Sequence, residues 1–103
     1  MSRNVVIGPL DQIPPGEGRT FVVSNESIAV FRTHCGEVYA TQATCPHRGG
    51  PLADGLLGGA IIHCPLHDRA FDLRSGDGMG SECAKLRTFA IALNAERQML
   101  VTM

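Results

Sequence analysis

Apolar residues in this chain recur mainly at alternate positions or in short runs, and Gly, Pro and Asn break each run early. Val5-Val6-Ile7 opens the pattern, and a Pro/Gly-rich loop covers residues 11–18. Residues 20–23 and 27–33 flank Asn25-Glu26, which predicts a hairpin. Residues 38–43 follow a turn at Cys35-Gly36, and Ile61-Ile62-His63 forms another short run. The stretch 74–80, with Gly76, Gly78 and Gly80, reads as a return loop. Residues 86–93 alternate, which puts Phe89, Ile91 and Leu93 on one strand face, and residues 99–103 close the sheet across Asn94-Ala95. No segment longer than a turn or two has a helical period. The expectation is an all-β fold. Its antiparallel base comes from residues 1–42 and 75–103, with a smaller subdomain, 43–74, inserted between them. Phe21, Phe31 and Phe89 are expected in the core, and Tyr39 half-buried on a strand.

A chain of 103 residues makes one domain, 1–103, with a modest core. Nine basic residues against ten acidic ones leave no electrostatic footprint for nucleic acid. Met1-Ser2-Arg3-Asn4 leads straight into a strand-like run without the apolar stretch of a signal peptide. No stretch is long and apolar enough to span a bilayer as a helix. The expectation is a cytoplasmic protein with neither a membrane nor a nucleic-acid partner.

Two short clusters carry the chemistry: Cys45-Pro46-His47-Arg48-Gly49-Gly50 and Cys64-Pro65-Leu66-His67. Each pairs a thiolate-forming side chain with an imidazole on a proline-bearing loop, so the four donors could grip a metal centre from two sides. A structural zinc site is one reading, although such sites usually draw both thiolates from one knuckle and both imidazoles from a helix. A catalytic Cys–His pair is another, but it needs only one thiol and leaves the duplicated pattern unexplained. The third is a [2Fe–2S] cluster in which two imidazoles replace two thiolates on one iron. Cys35 and Cys83 read as free thiols rather than a disulfide, since a cytoplasmic compartment keeps thiols reduced. His34 and His63 read as surface histidines; His63, just before Cys64, is expected to point away from a metal.

The segment CPHRGGPLADGLLGGAIIHCPLHDRAFD, residues 45–72, resembles the cluster-binding half of a Rieske protein. The likeness includes Gly-Gly-Pro-Leu after the first loop and the aromatic-Asp pair, Phe71-Asp72, after the second. It implies a Rieske fold, an antiparallel sandwich or barrel-like base with an inserted cluster-binding subdomain. It also implies one [2Fe–2S] cluster per chain, with Cys45 and Cys64 on one iron and His47 and His67 on the other. Gly49 and Gly50 would let backbone approach the cluster and aim N–H groups at its sulfurs. Arg48 and Leu66, beside the His ligands, would form the contact surface for a redox partner.

Replacing two thiolates by neutral imidazoles changes the formal charge of the oxidised cluster from about −2 to about 0. An added electron then meets less negative charge, so the potential rises from about −400 mV into a window of roughly −150 to +300 mV. Rieske proteins of the cytochrome complexes carry an extra cysteine in each ligand loop, joined as a disulfide. Gly50 and Leu66 occupy those positions here. Hydroxyl donors that raise the potential in those relatives are matched by Arg69 and Phe71, which have no hydroxyl. The resemblance therefore implies a potential on the order of −150 to −100 mV. Asp68 stands where many relatives have Gly, and its carboxylate adds negative charge beside His67.

Both irons of such a cluster are filled by sulfide and protein ligands, so electron transfer without substrate chemistry is expected, and no catalytic residue is assigned. The chain carries no dinucleotide fingerprint. Its flanks, GPLDQIPPGEGRTF and IAVFRTHCGEVYATQATCPHRGGPLADG, and Cys83 shortly before Leu86-Arg87-Thr88-Phe89, resemble the small subunit of assimilatory NAD(P)H nitrite reductase. The alternative is the ferredoxin component of an aromatic-ring-hydroxylating dioxygenase system. Either way the partners are redox proteins, a reductase and a terminal oxidoreductase. An alternative of another class is a zinc-bound or metal-free interaction module.

Overall fold

The computed structural model describes residues 3–45, 50–65, 70–78 and 85–103. Among these the chain forms ten strands and two single turns of 3₁₀ helix, so the all-β expectation holds. In chain order the strands are β1 (Asn4–Pro9), β2 (Glu17–Val23), β3 (Glu26–Arg32), β4 (Val38–Gln42), β5 (Leu56–Gly58), β6 (Ile61–His63), β7 (Ala70–Asp72), β8 (Thr88–Phe89), β9 (Ile91–Leu93) and β10 (Gln98–Thr102). They make three antiparallel sheets, ordered β1-β10-β9, β2-β3-β4-β8 and β5-β6-β7.

Strand β3 explains how one chain supports two cores. Ile28, Ala29, Val30 and Phe31 are all buried, which a strand permits only when both of its faces are covered. Successive side chains point to opposite faces, and the packing follows that period. Ile28 and Val30 join Leu10, Ile13, Met99 and Val101 in one apolar cluster, against the β1-β10-β9 sheet. Ala29 and Phe31 join Leu52, Ile62, Phe71, Leu73, Cys45 and Cys64 in the other. The β2-β3-β4-β8 sheet thus separates a base core from a core that contains both predicted cysteine ligands. Phe31 is fully buried, while Phe21 and Phe89 pack half-buried against the base core.

Three sequence expectations need correction. The β2–β3 turn centres on Ser24-Asn25, with φ of 52° and 65°, one residue earlier than Asn25-Glu26. A two-residue turn that matches strand twist needs both central residues at positive φ, which Glu26 avoids by opening β3. The expected single strand over 86–93 divides at Ala90. Thr88–Phe89 pairs with β4, whereas Ile91–Leu93 pairs with β10 in a different sheet. Alternation persists through the switch, so periodicity could not reveal it. Strand β5 has no counterpart in the expected pattern, because with three residues it is too short to display a period. The last strand begins at Gln98, after a turn in which the Asn94 Oδ1 accepts from the Glu96 and Gln98 amides at 3.0 and 2.9 Å.

Candidate metal centre

Both cysteine-bearing loops are closed in the same way. Thr44 and Pro51 form an antiparallel bridge, the Cys45 amide donates to the Gly50 carbonyl at 2.8 Å, and the Leu52 amide donates to the Ala43 carbonyl at 2.9 Å. Residues 45–50 therefore leave and re-enter the fold at one point. Strands β6 and β7 pair from Ile61↔Asp72 to His63↔Ala70, so Cys64 follows directly on a strand that is held by its antiparallel partner. On β6 the alternation runs Ile62 buried, His63 exposed, Cys64 buried. His63 faces away from the core that holds Cys64, as expected.

Cys45 is 2% exposed and Cys64 is 5% exposed, and both belong to the core built by Phe31, Leu52, Ile62, Phe71 and Leu73. The structure thus brings together two thiols that lie nineteen positions apart in sequence. A thiolate in such an apolar setting is costly without a cation beside it, and iron supplies that cation. Two buried thiols from two separate loops fit an iron–sulfur centre better than a zinc knuckle, which takes both cysteines from one loop. Among the described residues no group of three or more His, Cys, Asp or Glu side chains gathers as a metal site. His47 and His67 lie outside the described residues, as do Arg48, Gly49, Leu66, Asp68, Arg69 and Cys83.

The linker between the loops carries positioning that the sequence reading missed. After Pro51 the chain makes one 3₁₀ turn, Leu52–Asp54, closed by the Gly55 amide donating to the Leu52 carbonyl at 3.0 Å. Gly55 then lies directly against the carbonyl of His63, and a Cβ there would collide with that oxygen. The signal was a glycine in Leu52-Ala53-Asp54-Gly55, but the sequence does not say what approaches it.

Downstream of the second loop, Asp72 organises the exit. Its Oδ1 accepts from the Arg74 amide at 2.8 Å, and its carboxylate forms a two-point contact with the Arg74 guanidinium at 3.1 Å. Those bonds hold the Asp72 carboxyl below its ordinary range. Gly76, at φ 83°, accepts from the Leu86 amide and leaves no room for a Cβ beside the Leu86 carbonyl. Tyr39 packs half-buried on the cysteine-containing core; partial burial, then its bond to Glu37, raises its phenol pKa. His34 and Cys35 are exposed. Among the described residues no helix is long and apolar enough to cross a membrane. A groove of about 380 Å³ opens between Tyr39, Leu73, Arg74, Phe89 and Ile91, and neither Cys45 nor Cys64 lines it.

Comparison with known proteins gives this geometry a family. Residues 3–90 match the Rieske [2Fe-2S] domain. The chain is 35% identical over 92 residues, 88% of each chain, to the ferredoxin component of the naphthalene 1,2-dioxygenase/salicylate 5-hydroxylase systems of Ralstonia sp. It superposes with a TM-score of 0.85 on the ferredoxin of carbazole 1,9a-dioxygenase from Nocardioides aromaticivorans IC177, at 30% identity and 95% coverage of both chains. A protein described as an NADH-dependent nitrite reductase small subunit from Mycobacterium tuberculosis superposes at 0.91, covering 100% of this chain and 96% of that one, at 19% identity. The last likeness bears on fold alone. With its layered antiparallel sheets and its paired cysteine loops, the chain belongs to the Rieske [2Fe-2S] family: it is an electron-transfer protein whose cofactor is a [2Fe–2S] cluster.

Proposed function

We propose that Cys45 and Cys64 bind one iron of the cluster and that His47 and His67 bind the other. Residues 43–74 then act as a cluster-binding subdomain on a base formed by 1–42 and 75–103. The burial of both thiols in one apolar core supports the cysteine half of this reading. The cluster, when bound, accepts and releases one electron at a time. Around it, Phe31, Phe71 and Leu52 exclude water, which limits the solvent rearrangement that accompanies each charge change. The two thiolates anchor the cluster at the loop bases, and the closed hairpins keep those bases in place.

The chain serves as the ferredoxin component of an aromatic-ring-hydroxylating oxygenase system, carrying electrons from a reductase to the oxygenase component in the reducing cytoplasm. The observation that carries this reading is the 35% identity over 88% of both chains with such a component. A second reading, the small subunit of an NAD(P)H nitrite reductase, is favoured by the motifs of the flanking segments. One experiment separates the two. The purified chain, reduced anaerobically, is mixed with a ring-hydroxylating oxygenase component or with a sirohaem nitrite reductase. Electron delivery to the oxygenase alone is the expected result; delivery to the sirohaem enzyme alone overturns it. A colourless protein with stoichiometric zinc would overturn both, and with them the cluster ligands.

A further inference from the structure

The side chain of Gln42 reaches the root of the first cysteine loop from one side and a distant segment from the other. Its Nε2 donates to the Thr44 carbonyl at 2.8 Å, and its Oε1 accepts from the Arg87 amide at 2.8 Å. The Gln42 backbone amide also donates to the Arg87 carbonyl at 2.9 Å. Arg87 is itself held, by Glu26 at 2.7 Å and over the Phe89 ring at 5.1 Å. The peptide joining Thr44 to Cys45 is therefore bonded at both ends: its carbonyl to Gln42, its N–H to Gly50.

A peptide unit carries a dipole of about 3.5 D. This one is covalently attached to a proposed iron ligand, so it feels the charge that arrives with each electron. A free peptide would turn as the charge changes, its N–H end toward the cluster on reduction and away again on oxidation. With both ends bonded, it keeps one orientation. Fixed dipoles around a changing charge need no rearrangement at the moment of transfer.

We propose that Gln42 is a positioning residue for electron transfer: it fixes the Thr44–Cys45 peptide in one orientation in both oxidation states and thereby sets the potential of the cluster. The inference rests on Cys45 being an iron ligand. Gln42 is half-buried and acts through the peptide, by its bond to the Thr44 carbonyl. A clamp that served stability alone would join β4 to Arg87 and leave the cluster's electronic properties unchanged.

Two variants of the cluster-containing protein test this. Gln42→Leu removes both side-chain bonds, while Gln42→Glu keeps an acceptor for the Arg87 amide and loses the donor to Thr44, because an ionised carboxylate only accepts. The readouts are iron and acid-labile sulfide content, midpoint potential, and the electron paramagnetic resonance lines of the reduced state. Unchanged iron and sulfide with a shifted potential in Gln42→Leu and broadened lines in both variants is the expected result. Unchanged potential and lines, with only a lower melting temperature, overturn the inference and leave the ligand assignment standing. Should Gln42→Leu fail to retain iron, Gln42→Glu decides by its lines: broadened lines at full iron content support the inference and unchanged lines overturn it. Cys45→Ala is the separate control: full cluster content there defeats the ligand reading instead.

Discussion

The carbonyl of His63 lies against the α-carbon of Gly55 with no room for a side chain between them. This contact joins the segment that follows the first cysteine loop to the residue that precedes Cys64. The approach fixes how near Gly55 lies to the strand that leads into Cys64.

Gly55→Ala is therefore expected to destabilise the protein by about 1–3 kcal/mol, the usual cost of forcing atoms into a filled space. The obstruction is backbone, the carbonyls of His63 and Leu52, so no flexible side chain can move aside. Denaturant unfolding of the variant should show a lower midpoint with an unchanged slope. Its cluster should also be lost faster on exposure to a chelator. A midpoint equal to that of the parent protein would mean that the linker relaxes freely and does not set the loop spacing.

Much of this arrangement can be read from residues, and the exceptions have physical causes. Cys45 and Cys64 announce themselves by spacing, and the alternation of Ile62, His63 and Cys64 correctly places His63 outward. Tyr39 and Phe31 take the environments that a strand period assigns them. The Ser24-Asn25 turn was misplaced by one residue because Asn25 satisfies either register, and only the backbone angles choose between them. Ala90 hides a change of sheet, since a strand keeps its alternation when it changes partner. The roles of Gly55 and Gln42 lie in what approaches them from residues 63 and 87. Contacts of that kind leave no local signature.

Asp72 gives the stability a specific acid dependence. Its bonds to the Arg74 side chain and amide favour the ionised form, so its pKa in the folded protein lies below the unfolded value of about 3.9. A depressed carboxyl stabilises the fold fully above the unfolded pKa, and that contribution disappears as the pH falls through the folded pKa. The loss is thus expected below about pH 4, and not near neutrality. Asp72→Asn should lower the melting temperature at pH 7 and flatten the decline below about pH 4. Melting curves across that range check it. An equal acid decline in both proteins would assign the effect to other carboxylates.

Removal of iron should unfold the molecule unevenly. The β5-β6-β7 sheet has strands of three residues, and its core side includes both buried cysteines. Strands β2 and β3, by contrast, pair over seven residues, and β3 is packed on two faces. Metal binding contributes directly to the folding of the segment that supplies the ligands. Amide hydrogens of Ile62 and Phe71 are expected to exchange on the order of a hundredfold faster in the apo protein, equivalent to about 3 kcal/mol of lost local stability. Those of Val30 and Phe31 should change by much less. Uniform acceleration across β2, β3 and β6 would instead make the cluster a global stabiliser.

Phe71 offers the most direct lever on the potential. Its ring is 1% exposed and packs in the same core as Cys45 and Cys64, at a position where the resemblance to high-potential relatives places a hydroxyl donor. A donor there would favour the reduced state, whose sulfurs carry more negative charge. If a hydroxyl at this position prefers the reduced cluster by about 1 kcal/mol, one electron at 59 mV per 1.4 kcal/mol converts that preference to roughly 40 mV. Phe71→Tyr is therefore expected to raise the midpoint potential by about that amount from a starting value on the order of −150 to −100 mV. Phe71→Leu separates the hydroxyl from the packing, because it disturbs the core without adding a donor. Redox titration followed by electron paramagnetic resonance measures all three proteins. A rise in the tyrosine variant alone supports the donor argument. An equal shift in both variants would attribute the change to solvent entry, and an unchanged tyrosine variant would place its hydroxyl out of reach of the sulfurs.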